Sequence, residues 1–261
     1  MNVKPPSDEN PLLVEIADGR ATVTLNRPAM HNRLDGTDLA ALGDALAEID
    51  DNPEVRVVVL TGNGRSFCSG YDLGTLAKGA SGAAPVSDRF SFGTLVDRVE
   101  TMRAPTIAAL NGGVYGGGTD LALACDFRIG VAQTRIMMPA GQIGLHYYAS
   151  GIRRYVTRMT PGAAKRLFLL GETLHAEEML RIGYLDEIVP DLEALHTRVD
   201  MIAGLIANAP SAEVIQGMKR AINRIADANM DPAEADAAST ASRRSPIVAA
   251  AVAARLAKRK K

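Results

Sequence analysis

Two short runs near the start of the chain, residues 12–16 and 21–25, alternate apolar with polar positions and are separated by "ADGR". An Asp-Gly pair between such runs predicts a β-hairpin. Pro28 ends the second run, because it lacks an N–H and restricts Arg27. Leu39, Leu42, Leu46 and Ile49 then recur at helical spacing, which predicts a helix capped by Thr37 and running to about Asp50. "VRVVVLTG" (residues 55–62) and "PTIAALN" (105–111) read as buried strands, and "DFRIGV" (126–131) as a third. Beyond Gly151 the pattern is helical in "SGIRRYVTRM", "PGAAKRLFLLG" and "AEEMLRIG". "YLDEIV" (184–189) interrupts it as a strand, and three helical segments follow to the end. Strands alternating with helices predict an α/β fold with an all-helical tail. "KGASGAAP" (78–85) is small and polar, as in a loop, and no strict internal repeat is visible.

The densest departure from this patterning is "NGGVYGGGTDLALACD" (111–126), with five glycines before a helix predicted to begin at Thr119. Glycine costs about 1 kcal/mol against alanine inside a helix, so these glycines need another reason. Neither G-x-G-x-x-G nor a Gly-Lys-Ser/Thr phosphate loop is present. What remains is a strand, a tight connection and a helix whose first turn lacks side chains. The free N–H groups of such a turn attract negative charge, and glycine lets a ligand approach the backbone. Asp120 lies three residues after Gly117 on the same helix face, as a base beside an oxyanion site would. The same residues also fit a purely structural use, with glycines for close packing and Asp120 favouring the helix N-terminus. A second stretch, "GRSFCSGYDL" (64–73), also sets a glycine, Gly70, at a turn after a strand, and can supply a second backbone donor.

Composition narrows the classes. The chain has 261 residues, 47% of them apolar, enough for one or two domains with a substantial core. Aromatics are 4% and tryptophan is absent, so that core is aliphatic and Ala/Gly-rich. A net charge of −1 offers no nucleic-acid surface, and the basic run 255–261 reads as a solvated helix end. Cys68 and Cys125 are unpaired in sequence and suit buried positions in a reduced, cytoplasmic protein. "MNVKPPSDENP" lacks the apolar stretch of a signal peptide, and no run is long enough to span a membrane. Four scattered histidines without HExxH spacing argue against a metal site, and no G-x-S-x-G elbow exists.

"RSFCSGYDL", "IAALNGGVYGGGTDLALACDF" (107–127), "TLNRPAMHNRLD" (24–35) and "AKRLFLLGETLHAEEMLRIGYLDEIVP" (164–190) together resemble the crotonase, or enoyl-CoA hydratase/isomerase, superfamily. The likeness covers nearly the whole chain. It implies a spiral of ββα turns in residues 1–200 and a helical trimerisation region in 201–261. It further implies an acyl-CoA thioester as ligand, with no separate cofactor and no nucleic-acid or membrane partner, in a homotrimer or homohexamer. Residue by residue, the family's oxyanion donors fall on the N–H groups of Tyr71 and Gly117. Its coenzyme A contacts fall on Met30, His31, Arg33, Ser69, Tyr71, Asp72, Leu73 and Gly117.

The sequence departs from the family at the acids. Hydratases of this superfamily use two glutamates. The first position is Asp120, one methylene shorter and the expected acid/base. The second, in "MMPAGQIGLHYYASGI" (137–152), is Ala140. Alanine carries no proton, which argues against two-glutamate hydration and for isomerisation or another one-base reaction. His146, Tyr147 and Tyr148 follow closely, as packing groups or proton donors. "GLHYYASGI" (144–152) resembles a segment of methylmalonyl-CoA decarboxylase-like members, in which a tyrosine at the place of Tyr147 orients the departing carboxylate. Decarboxylation or C–C cleavage assisted by Tyr147, and thioester binding with little catalysis, are the alternatives.

Overall fold

The computed structural model describes residues 10–72 and 91–227. Strands β1 (Leu12–Ala17) and β2 (Arg20–Leu25) form the expected hairpin. Asp18 (φ 51°) and Gly19 (φ 75°) both take the left-handed conformation that a two-residue hairpin turn demands. Parallel to β2 run β3 (Val57–Gly62), β5 (Thr106–Leu110), β7 (Phe127–Val131) and β10 (Glu187–Val189), giving the six-stranded order β1-β2-β3-β5-β7-β10. A second sheet, β4-β6-β8-β9, collects β4 (Ser66–Cys68), β6 (Gly113–Tyr115), β8 (Arg135–Met137) and β9 (Thr173–His175). Each of β3, β5 and β7 is thus followed at once by a strand of the second sheet. Helices α1 (Gly36–Asp51), α2 (Phe92–Thr101) and α3 (Gly117–Ala124) complete the ββα turns of a crotonase-type spiral.

The central strands read as unbroken apolar runs because both faces are covered. One face of the large sheet looks toward α1, α2 and α3 through Val58, Leu60, Leu42, Leu95 and Leu121. The other packs Val57, Val59, Ile107, Ile129 and Val131 against Leu195, Val199, Ala203 and Ala207 of a long helix, Leu192–Ala207. Residues 200 and 201, where the division is expected, both lie within that helix, which packs one face on the sheet.

Several elements differ from the sequence reading. Asp35, not Thr37, caps α1: its carboxylate accepts from Thr37 N and Asp38 N at 2.9 and 3.0 Å. Asp38 accepts in return from Asp35 N at 3.0 Å, a capping box that reaches further than one hydroxyl. Helix α3 starts two residues before Thr119. The strand expected at 184–189 shrinks to β10, because Tyr184 N and Leu185 N both donate to Met179 O and turn those residues into the core. Beyond β8, helix α4 (Ala149–Arg158) is followed by α5 (Pro161–Lys165), a wide π turn (Arg166–Leu170) and α6 (Ala176–Arg181). Gly171, at φ 63°, stops the π turn. Counting Leu192–Ala207 as α7, the described chain ends in α8 (Ala212–Ala226). The third tail segment, the basic run, the loop 78–85 and the N-terminal segment lie outside the described residues. Among the described residues no helix is long and apolar enough to cross a membrane.

Gly118 shows why α3 opens on residues without side chains. A Cβ there would stand 2.5 Å from Cys68 O and 3.0 Å from Cys68 C, backbone atoms of β4 that cannot swing aside. Gly118→Ala is therefore expected to destabilise the fold by about 1–3 kcal/mol, as overpacking in a close-packed core does. A urea melt read by circular dichroism checks this through a lowered midpoint at unchanged slope.

Candidate active site

Two loops meet at the N-terminus of α3. Gly70 takes φ +84°, and a Cβ on it would lie 2.5 Å from Gly117 N and 2.9 Å from Tyr115 O. Only glycine lets the Ser69–Tyr71 backbone come this close to the Gly116–Gly118 turn. The two candidate donors, Tyr71 N–H and Gly117 N–H, therefore belong to abutting segments. The segment before α1 joins them: Leu34 N donates to Gly70 O and Asp72 N to Leu34 O, each at 2.8 Å. Ser69 Oγ donates to Met30 O at 3.3 Å, and Arg33 Nη1 pairs with Asp72 Oδ1 at 3.0 Å. His31 Nδ1 lies 2.8 Å from Ser66 Oγ, and its Nε2 lies 3.2 Å from Arg65 Nη2. Met30, His31, Arg33, Ser69, Tyr71, Asp72 and Gly117 are thus gathered at one end of the second sheet. Leu73 lies outside the described residues.

A cavity of about 940 Å³ opens beside these loops, walled by Tyr71, Phe92, His146, Tyr147, Tyr148 and Ile152 among others. A Cβ on Gly117 would come within 2.5 Å of Phe92 Cζ, so the space that this glycine leaves is filled by the Phe92 ring. Phe92 also meets Tyr71 edge-on, with ring centroids 6.3 Å apart. Among the described residues that line the cavity there is no Asp or Glu. Ala140 is 3% exposed and caps a short 3₁₀ turn, Gly141–Ile143.

Asp120 is fully buried, at 0% exposure, and is met by four donors. Arg154 gives Nε to Oδ1 at 2.9 Å and Nη2 to Oδ2 at 3.3 Å. Tyr147 OH donates to Oδ2 at 3.0 Å, and Tyr148 OH donates to the same oxygen. Burial first, and the Asp120 charge second, push both phenols well above the ordinary tyrosine range, so both keep their protons at neutral pH. Arg154 is itself fully buried, and its Nη1 bonds Asp97 Oδ1 at 2.7 Å and Glu100 Oε2 at 2.8 Å on α2. The acid of the sequence reading is therefore the buried end of an ion network spanning α2, α3 and α4.

The sequence reading missed Arg154, Phe92 and the cavity-facing place of Tyr148. A signal for Arg154 exists: Gly151, Arg154 and Tyr155 form the buried stripe of α4 at i, i+3, i+4, and a charge within such a stripe requires a buried partner. The cysteines are buried fillers, with both thiols pushed up to about 12 by burial. Among the described residues no group of three or more His, Cys, Asp or Glu could hold a metal ion.

A family model for enoyl-CoA hydratase/isomerase matches residues 15–245. The chain belongs to the enoyl-CoA hydratase/isomerase family. It is 32% identical to the short-chain-enoyl-CoA hydratase of Clostridium acetobutylicum over 229 residues, covering 86% of this chain and 85% of that one. It is 32% identical to the carnitinyl-CoA dehydratase of Salmonella enteritidis, over 73% of this chain and 72% of the relative. A crystal structure of enoyl-CoA hydratase subunit I from Geobacillus kaustophilus superposes with a TM-score of 0.82 at 26% identity, covering 95% and 96% of the two chains. Family membership makes the chain an acyl-CoA enzyme of the hydratase/isomerase type.

Removing one partner of the buried pair leaves the other charge uncompensated. Arg154→Met is expected to cost about 3–5 kcal/mol, because Asp120, Glu100 and Asp97 then share no guanidinium at that position. Thermal unfolding followed by calorimetry measures this as a fall in Tm.

Proposed function

We propose that this enzyme works through a thioester enolate whose oxygen is held by the N–H groups of Tyr71 and Gly117. The observation that carries the reading is the close approach of the Gly70 and Gly117 backbones at the N-terminus of α3, beside the large cavity. Removing an α-proton from a thioester, or adding to its conjugated double bond, puts negative charge on the carbonyl oxygen. Two fixed donors and a helix N-terminus stabilise that charge, each oxyanion donor by about 3–4 kcal/mol. Coenzyme A lies in this reading along Met30, His31, Arg33, Ser69, Asp72 and Leu73, and enters only as part of the substrate. Asp120 is the carboxylate that takes part in proton transfer.

The described residues of the cavity wall offer no pair of carboxylates. Ala140 has no proton to give, and no carboxylate from the described residues faces the cavity. Isomerisation or another one-base reaction fits this better than two-glutamate hydration. A second reading, decarboxylation or C–C cleavage assisted by Tyr147, draws on the place of Tyr147 in the cavity wall. Its hydroxyl is already given to Asp120, which weighs against its holding a departing carboxylate. The reading includes a homotrimer or homohexamer, for which exposed Met218, Ile222 and Ile225 on α8 supply an apolar face. It also includes a cytoplasmic setting, in keeping with two unpaired buried cysteines.

Hydration of crotonyl-CoA is the discriminating assay. The enzyme is expected to run it about 100-fold or more below a two-glutamate family hydratase measured alongside, the usual worth of one general acid–base group. Ala140→Glu is expected to raise the rate. A wild-type rate equal to that of the reference hydratase would overturn the one-acid reading. No turnover of any crotonyl, 3-enoyl or malonyl-type thioester would leave thioester binding alone.

A further inference from the structure

We infer that the Tyr148 hydroxyl is the group that exchanges a proton with the acyl carbon, with Asp120 behind it as proton acceptor and Arg154 as a positioning residue. This rests on the enolate reading above and supplies what that reading leaves open, the atom that touches substrate. Asp120 is fully buried and does not line the cavity, whereas the Tyr148 ring does. Any route from Asp120 to the cavity that uses its existing hydrogen bonds passes through a tyrosine hydroxyl.

Of the two tyrosines, Tyr148 is better placed. Tyr147 is 8% exposed, with its ring between Tyr148 and Phe168 at centroid distances of 4.5 and 5.2 Å. Tyr148 is half-buried, and its orientation is set from three sides. Its ring lies on Gly93 of α2, where a Cβ would meet the ring at 3.3 Å. Its backbone caps α4 at φ −75° and ψ 155°. Its oxygen accepts from Arg154 Nη2 at 3.3 Å while donating to Asp120. A phenol oxygen has one proton and two lone pairs. The proton goes to Asp120, and the acceptor side is shared by Arg154 and the neighbouring Tyr147 hydroxyl, so a substrate C–H takes the place of Tyr147 at this oxygen.

The proton balance closes without a further reagent. The substrate Cα–H bond breaks and its proton passes to Tyr148 Oη. The proton already on that oxygen passes to Asp120 Oδ2. The C–H electron pair becomes enolate charge on the thioester oxygen at Tyr71 N–H and Gly117 N–H. One negative charge leaves Asp120 and one forms on the thioester, so net charge is unchanged. Running the relay backwards at the γ-carbon of the dienolate from an enoyl thioester moves the double bond. A single phenol thus serves as base and then as acid, which suits a cavity whose described wall offers no carboxylate.

The test uses the full-length protein with butyryl-CoA in D2O. Loss of the α-proton signal is followed by NMR, and KM is obtained from the concentration dependence. Wild type is expected to exchange. Tyr148→Phe is expected to slow exchange about 100-fold or more, with KM within threefold, while Tm falls because the buried Arg154 loses one acceptor. Asp120→Asn is expected to slow it likewise. Replacing Tyr148 by 3-fluorotyrosine, which keeps the hydroxyl, is expected to restore exchange. If Tyr148→Phe exchanges within threefold of wild type while Asp120→Asn does not, Asp120 acts directly and the relay is overturned, with the enolate reading intact. Failure of 3-fluorotyrosine to restore exchange also overturns it. If wild type does not exchange at all, the enolate reading falls and the relay with it.

Discussion

A guanidinium taken wholly out of water persists only where each of its five N–H groups finds an acceptor. Arg154 has five such bonds: one from Nε to Asp120, two from Nη1 to Asp97 and Glu100, and two from Nη2 to Asp120 and Tyr148. The acceptors come from α2, from α3 and from the residue that caps α4. Their relative placement is therefore set by the planar geometry of one side chain as well as by aliphatic packing, which tolerates sliding. Arg153 and Arg158 extend the network by pairing with Glu100, and Arg153 also pairs with Asp227 beyond α8. Such networks contribute less to stability than to a unique arrangement, since an apolar replacement of equal volume is often no worse. Here the arrangement fixed is that of Asp120 and the two tyrosines that meet it.

Glycine does the complementary work wherever backbones must touch. Gly118 brings α3 against β4, and Gly70 brings the next loop against Gly117. Gly151 belongs to the same set: a Cβ there would stand 2.5 Å from Tyr147 Cε1 and 2.9 Å from Asp120 Oδ2. The ion network sets where the carboxylate points. The glycines set how near the backbone donors come to one another. Both constraints act on the same short helix, α3, whose N-terminus faces the proposed oxyanion while its first turn carries the acid.

How much of this could be read from the chain depends on the range of the interaction involved. Strands β3, β5 and β7 were legible because burial on both faces leaves an apolar run long enough to see. The strands of the second sheet were not, because each has three residues and three residues carry no period. The cap of α1 was misplaced by two residues because Thr37 and Asp35 are both good caps, and only the return bond from Asp38 decides between them. At the site, the glycine run, Asp120 and Ala140 were visible as local pattern. The partners of Arg154 were not, since they lie 34, 54 and 57 residues away along the chain. Leu73 and the tail beyond Asp227 fall outside the described residues, and the expectations placed on them stay with the sequence.

The shortened acid and the missing one have a common physical consequence. A glutamate reaches one methylene further than an aspartate from the same backbone position. With Asp120, the carboxylate stays among Arg154 and the phenols and leaves the cavity wall to aromatic rings. The Tyr148 phenol meets Asp120 and lines the cavity, and its surroundings hold it neutral. A neutral donor–acceptor at the wall leaves the enolate oxygen as the one new charge formed near the cavity during proton transfer. That charge then faces the backbone donors without a competing anion beside it. With Ala140 in place of the second acid, no described residue of the cavity wall offers a carboxylate to activate water. In the proposed reading, Asp120 and Ala140 therefore act in the same direction, toward moving protons within an acyl chain rather than adding water across it.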